Sequence, residues 1–426
     1  MGILSDREKR AERIRCLAET GQTVLSIKAN LPTGFKNSFE ACFLLSVFFR
    51  EVKTKLAFTA EYRYESDDGA YGLLLTNENG LSVKNACIEL ERTHPLGRLI
   101  DLDVTDKHTD FSRSKMNLPL RQCLLCDAPA VVCMRLQKHT SEEVFREAQR
   151  RIECYFATEL QRMVASAAAK ERNLKHKFGL VEPNFVGAHA DMTAEFMERS
   201  LQGILPYFSE MFFCGCKAPS LSEGFSHCRA VGQSAEQEMF RLTDGTNTYK
   251  GLIFALGCLL YCLGYGWRQG QRTEEVFQSL PKALTGLETE FAGTETAGKK
   301  AHREGLKSAR DEALCGMPAV EQTYRFLKNR TESDAVLREG LLVALRHCDD
   351  TVLWKRCKTT ENYRRVKGKI LSVSPENEAD AQRMTEECTA NGYSIGGAAD
   401  ILICALFLKD FAQNFDGAKL CGKEEN

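Results

Sequence analysis

Residues Ile100-Asp101-Leu102-Asp103-Val104 alternate apolar and acidic side chains one for one. Alternation at period two marks a strand, with the apolar side chains on one face and both carboxylates on the other, about 6–7 Å apart. A chain carrying this segment builds a sheet with one buried face and an acidic one. Two carboxylates placed this way are the usual means of holding Mg²⁺ against a phosphate; the alternative is a solvated acidic edge. Just upstream, Arg98 and His94 add positive charge suited to a polyphosphate. His94 also reads as structural, because the residue before a proline is held extended.

The rest of the first 156 residues has the same mixed character. Segments Val24–Ala29, Leu56–Tyr64 and Tyr71–Thr76 alternate like strands, with a turn signal at Ser66-Asp67-Asp68-Gly69. Helical spacing covers 5–19, 38–52 and 141–156. Beyond that point the alternation disappears. An Ala-rich helix is expected at 159–172, followed by apolar runs of helix length. The pattern predicts two domains: an α+β domain at 1–156, its Asp-x-Asp strand suggesting a nucleotidyltransferase-like mixed sheet, and an all-α domain at 157–426. The apolar stretch Gly251–Trp267 is at the short limit for a membrane span and contains four glycines, so a buried core helix is expected. Residues 293–300 read as a flexible loop.

Composition narrows the function. Fifty-seven basic residues against 58 acidic ones leave a net charge of −1, so no broad basic field argues for nucleic acid. The 18 cysteines are scattered and the opening residues are too charged for a secretory leader, so a reducing cytoplasm and no membrane association are expected.

Downstream of the Asp pair come Ser112-Arg113 and then Arg121-x-Cys123-x-x-Cys126, Pro129-Ala130, Cys133, Arg135 and His139. Cys123, Cys126, Cys133 and His139 have ligand types and spacing suited to a structural Zn²⁺ site, and buried free thiols explain them equally well. This order and spacing resembles the apo-citrate lyase phosphoribosyl-dephospho-CoA transferase family, over about residues 1–155. The opening Leu4-Ser5-Asp6-Arg7-Glu8 and Lys36-Asn37 belong to the same resemblance. The resemblance implies attack by a serine of the citrate lyase acyl carrier subunit on the α-phosphorus of a triphosphoribosyl precursor, with pyrophosphate leaving. Asp101 and Asp103 would bind Mg²⁺, and Arg98, Arg113 and Arg121 would hold phosphates through their bidentate forks.

The second part has polar patches beside apolar helices. They are Lys177-Phe178-Gly179-Leu180-Val181, Gly187-Ala188-His189-Ala190-Asp191-Met192, Asp244 to Gly251, Ala309-Arg310-Asp311-Glu312, Asp349-Asp350-Thr351 with Arg356, and Ser394 to Leu402. Each reads as a helix entry able to receive phosphate, or as an ordinary cap or turn. In this order they look like the triphosphoribosyl-dephospho-CoA synthase family, with Phe178, Tyr249 and Asp311 in place of its usual Pro, His and Gly. That resemblance implies that ATP and 3′-dephospho-CoA combine to give 2′-(5″-triphosphoribosyl)-3′-dephospho-CoA and adenine. Lys177, Lys250 and Arg310 would bind phosphate, and Asp191, Asp350 and Asp400 would serve Mg²⁺ or act as base. His189 is a candidate proton shuttle or a helix cap, and Asp400 has the alternative of a helix-dipole partner. The leading expectation is a bifunctional enzyme that makes and attaches the citrate lyase prosthetic group. The alternatives are the same chemistry for malonate decarboxylase, a carrier-binding scaffold, and a working transferase joined to a silent synthase half.

Overall fold

The computed structural model describes residues 2–189, 192–285 and 297–416. These divide into two compact units, one running to Thr158 and including Phe415 and Asp416, the other Glu159–Asn414.

The first unit begins with helix α1 (Ile3–Glu19), then strand β1 (Thr23–Ala29), α2 (Phe39–Lys53), β2 (Ala60–Tyr64), β3 (Tyr71–Thr76), α3 (Gly80–Thr93) and β4 (Ile100–Thr105). The short α4 (Ala130–Arg135) and the start of α5 (Ser141–Asn173) follow. The strand order is β2-β3-β1-β4, and every neighbouring pair is antiparallel. The expected mixed sheet is therefore corrected. Helices α2 and α3 each return the chain parallel to the strand it left, but one place further over. An antiparallel strand fills the gap, as in the ferredoxin-like β-α-β-β-α-β arrangement. Sequence reading also split α5 at about residue 157. No glycine or proline interrupts 141–173, and the helix runs through.

Register sets the sheet faces. Lys28 lies opposite Asp101, and Ser26 opposite Asp103. Lys28 and Ser26 also lie opposite Tyr71 and Leu73 of β3. Helix α1 packs on part of this face through Ala18, Ile14 and Leu17 against Val24, Tyr71 and Leu73. The opposite face carries Leu25, Ile27, Leu102 and Val104, all fully buried.

The second unit holds the rest of α5 and then α6 (Ala194–Lys217), α7 (Phe225–Leu242), α8 (Lys250–Arg268) and α9 (Val276–Ala283). It continues with α10 (Ala297–Arg303), α11 (Ala309–Leu314), α12 (Pro318–Leu327), α13 (Asp334–His347), α14 (Thr351–Cys357), α15 (Thr360–Leu371), α16 (Glu378–Ala390) and α17 (Gly396–Phe415). Among the described residues it contains no strand beyond an isolated bridge between Glu182 and Phe185, as the all-α reading expected. Of the expected loop at 293–300, residues 293–296 lie outside the described residues, and 297–300 open α10.

The apolar helix α8 is long and apolar enough to cross a membrane by length and composition, yet two-thirds of its most apolar window is buried within the protein. Its glycines explain the packing. A Cβ on Gly264 would overlap the carbonyl oxygen of Phe212, and one on Gly215 of α6 would overlap that of Tyr261. Two backbones therefore touch where other helices interpose side chains. Gly264→Ala is expected to destabilise the protein by ~1–3 kcal/mol through overpacking. Gly232→Ala in α7, where the new methyl finds Met211 at an ordinary 3.6 Å, is expected to be neutral or stabilising by up to about 1 kcal/mol. Denaturant unfolding of the two variants checks this; equal effects would contradict it.

Candidate active sites

In the first unit the acidic face of β4 meets a group of arginines. Asp101 is ion-paired with Arg121, whose other nitrogen bonds Glu91 of α3 at 2.6 Å. Arg113 reaches the second oxygen of Glu91 at 3.3 Å, and Arg98 donates to the Gln122 carbonyl. Glu91 also accepts the Leu102 N–H at 3.1 Å, which ties the network to the strand itself. Burial and the neighbouring Arg121, Arg113 and Arg151 lower the pKa of Arg98, so these guanidiniums lie close enough to repel one another. Asp103 stands on the same face and is exposed. Desolvation on the sheet face and the Asp101 charge raise its carboxyl above the ordinary value. The structure thus brings together Arg98, Asp101, Asp103, Arg113 and Arg121. His94 packs between Phe48 and Tyr155 and accepts the Leu96 N–H at 3.1 Å, a structural role.

Beside this group lies a cationic cluster that sequence reading missed. Asp68, in the β2–β3 turn, has a buried carboxylate and pairs with Arg7, Arg10, Lys28 and Lys36. Four cations surround one carboxylate, which leaves a local excess of positive charge across the strand pair from Asp101. The pairing holds the Asp68 carboxyl well below the ordinary range. Burial, opposed by the Asp68 hydrogen bond and reinforced by Arg10 and Lys36, brings Lys28 down to about 8. No local sequence signal marks Lys28, because its place opposite Asp101 follows only from sheet register.

In the second unit the patches converge on a cavity of about 1200 Å³. Single small-molecule sites measure roughly 300–1,000 Å³, so this one lies just above the upper end of that range. The cations Lys250, Lys299, Arg303, Arg310, Lys355 and Arg356 line it, with the carboxylates Glu171, Glu236, Asp311 and Asp400. Lys250 opens α8 and pairs with Glu236 at 2.8 Å. Asp400 stands against Gly251 in the next position of that helix, where any Cβ would overlap its carboxylate oxygen. Burial and the charges of Asp350 and Glu171 push the Asp400 carboxyl well above the ordinary range.

Several expected residues take other positions. Lys177 is fully buried and does not line the cavity. Its ammonium bonds the Glu171 carboxylate at 2.8 Å and the carbonyls of Glu171 and Arg172, so it fixes Glu171 and is not available to phosphate. Asp350 is also buried, and also lies outside the cavity lining. One of its oxygens accepts the N–H groups of Val352 and Leu353, and the other that of Ala398. Three of its acceptor positions therefore serve backbone N–H groups, which makes it the shared cap of two helix starts. Asp191 lies outside the described residues. His189 lines the cavity with both ring nitrogens engaged. Arg356 donates to Nδ1 at 3.1 Å, so the proton sits on Nε2, 2.8 Å from the Ser394 hydroxyl.

The three departures have local explanations. Asp311 completes a capping box with Ser308 at the start of α11. Phe178 adopts φ 61°, a value closed to proline, so this loop follows a path that a proline would forbid. Tyr249 is buried, and among the described residues its hydroxyl has no hydrogen-bond partner. Burial raises its phenol further above the ordinary value, so it stays protonated and is not a base.

Paired carboxylates beside clustered arginines in one unit, and a large cavity lined by cations and carboxylates in the other, are arrangements suited to phosphorylated ligands. Residues 1–155 match the family apo-citrate lyase phosphoribosyl-dephospho-CoA transferase, and residues 157–418 match ATP:dephospho-CoA triphosphoribosyl transferase. Protein CitXG of Leuconostoc mesenteroides subsp. cremoris is 28% identical over 451 residues, covering 96% of each chain. Protein CitXG of Haemophilus influenzae is 31% identical over 318 residues, 72% of this chain and 68% of the relative. The 2-(5''-triphosphoribosyl)-3'-dephosphocoenzyme-A synthase of Haemophilus ducreyi is 27% identical and aligns over 98% of its own length. The chain belongs to this fused family, with a transferase half followed by a synthase half, and is a bifunctional enzyme of citrate lyase prosthetic-group synthesis.

The Lys28 environment yields a pH signature. Its folded pKa lies below the unfolded value of 10.5, so between about 8 and 10.5 the unfolded chain binds the extra proton. Stability from this group therefore rises with pH across that window. Against Lys28→Met, the wild type is expected to gain unfolding free energy from pH 8 to 10.5; parallel curves would refute this.

Proposed function

We propose that residues 1–156 form the transferase domain and residues 157–426 the synthase domain, each with its own site. The observation that carries the synthase reading is the single cavity holding Lys250, Arg310 and Asp400. Lys250, Arg310 and Lys355 hold the ATP triphosphate, which survives the reaction and needs clamping, not cleavage. The 2′-hydroxyl of 3′-dephospho-CoA attacks the ribose C1″, the N-glycosidic bond breaks, and adenine leaves. Asp400 accepts the hydroxyl proton, and its raised basicity suits a general base. Glu171, held by Lys177, faces the positive charge that develops on the ribose. Lys177 and Asp350 thus act as positioning groups, His189 is held as a neutral imidazole by Arg356, and Asp191 remains a candidate Mg²⁺ ligand.

In the transferase domain, a serine hydroxyl of the citrate lyase acyl carrier subunit attacks the α-phosphorus of that product and pyrophosphate leaves. Positioning and charge neutralisation suffice for this chemistry. Arg98, Arg113 and Arg121 contact the phosphates, and Lys28 adds charge from the facing strand. The oxygen donors Asp101 and Asp103, one of them exposed, fit Mg²⁺, which when bound would neutralise the phosphates. The citrate lyase assignment of residues 1–155 favours citrate lyase over malonate decarboxylase as the recipient. The substrates and carrier are those of a cytoplasmic enzyme.

The test is purified protein with ATP, Mg²⁺ and 3′-dephospho-CoA, with chromatography for adenine. Adenine is expected only when both substrates are present; none, with transfer intact on supplied precursor, would mean a silent synthase half. Asp400→Asn is expected to slow adenine release roughly 10²-fold or more. The wild-type rate should fall as pH drops through the raised Asp400 pKa, because the protonated acid accepts nothing, and the variant should lack this limb. Asp101→Asn should leave adenine release intact and reduce transfer to carrier by roughly 10²–10³-fold. Loss of both activities together would contradict separate sites.

A further inference from the structure

We propose that Cys123, Cys126, Cys133 and His139 form a structural zinc site in the first unit. Their four ligand atoms lie within 4.8 Å of one another. The Cys126 sulfur stands 3.5 Å from that of Cys133 and 3.4 Å from Nε2 of His139. With Zn–S near 2.3 Å and Zn–N near 2.0–2.1 Å, a tetrahedron has S···S edges of about 3.8 Å and S···N edges of about 3.5 Å. Both separations lie within about 0.3 Å of those edges, and none of the others exceeds 4.8 Å. A disulfide would need its sulfurs about 2.05 Å apart, so this is not the geometry of a Cys126–Cys133 bond.

A second observation bears on the same point. The segment around the cluster has almost no core of its own. Leu120, Leu125, Val132, Met134 and Leu136 are all exposed, and Cys133 is the one buried residue of α4. Ordinary buried thiols sit in an apolar core, whereas Cys123 and Cys126 are only half-buried and the large apolar residues nearest them in sequence are mostly exposed. Apolar burial does not hold this loop together, so another staple is required, and a metal cross-link is the one its side chains offer. Three thiolates and an imidazole converging without a fifth position are the donor set of closed, structural zinc sites. The Leu125 N–H points to the Cys123 sulfur at 3.5 Å, and Lys138 lies 3.7 Å from the Cys126 sulfur, both suited to a charged thiolate.

The site is joined to the transferase chemistry. Cys123 N–H bonds the Ala128 carbonyl and Ala130 N–H bonds the Arg121 carbonyl, both at 2.8 Å. Arg121, which pairs with Asp101 and Glu91, thus stands at the base of the ligand-bearing turn. Zinc would act as a positioning element for that arginine.

The test is elemental analysis of the full-length chain purified without chelator. One zinc per chain is expected, falling below a tenth in Cys126→Ser and Cys133→Ser. The exposed Cys16, changed to Ser, should leave it unchanged. Exchange with Co²⁺ should give the visible absorption of a tetrahedral thiolate site, absent from Cys126→Ser. Should the serine variants fail to fold, His139→Cys, which keeps four soft ligands, is expected to fold and retain zinc. Metal-free protein that is stable with all three thiols free, iron in place of zinc, a Cys126–Cys133 disulfide in the reduced preparation, or full zinc in Cys126→Ser would each overturn the proposal.

Discussion

The synthase cavity depends on one buried carboxylate. Asp350 accepts three backbone N–H groups, two from the first turn of α14 and one from the first turn of α17. A helix start leaves such groups without partners, and an anion there is favoured by the helix dipole. One side chain satisfies two helix starts at once and so fixes their separation. Those two helices deliver Val352, Lys355 and Arg356 on one side and Gly396, Ala399 and Asp400 on the other. Gly397 permits the approach, since a Cβ there would press on the Asp350 carboxylate at about 3.1 Å. A cavity in which cations outnumber carboxylates resists assembly, and the capped helix ends supply the rigid frame that holds it.

The transferase site follows the same logic with different parts. Glu91 is buried, yet accepts from Arg113, Arg121 and the Leu102 N–H. It gathers arginines next to Asp101 and binds them to the strand that carries it. Asp68 does the same for Arg7, Arg10, Lys28 and Lys36. Each cluster uses one buried acid to hold several cations, and so keeps positive charge beside the proposed phosphate site. In both units the acids that organise are distinct from the acids proposed to react.

Much of the chain was legible before any coordinates. The helices at 3–19 and 39–53 and the strands at 23–29 and 71–76 fall within a few residues of their sequence pattern, because each carries its own periodicity. Asp101 and Asp103 were readable for the same reason. Lys177 and Asp350 lie outside the cavity lining, and the sequence could not show this, because a lysine in a glycine-containing loop and an aspartate before a helix look alike whether they serve a ligand or the backbone. Burial decides between those uses, and burial depends on the path of distant segments such as α5 and α17. Lys28 and Glu91 sit in no motif, and Asp68 read only as part of a turn, so their ion pairs had no sequence signal.

By itself the sequence determined several helices and strands of the first half, the acidic strand face, the helical character of the second half and the family to which the chain belongs. These properties are local, or are preserved as motifs in linear order. Tertiary structure alone decided that the sheet has no adjacent parallel strands, that Lys28 faces Asp101, and which polar residues reach the cavity. Register, crossover and burial are relations between segments far apart in the chain, and no local pattern of side chains encodes a distance between them.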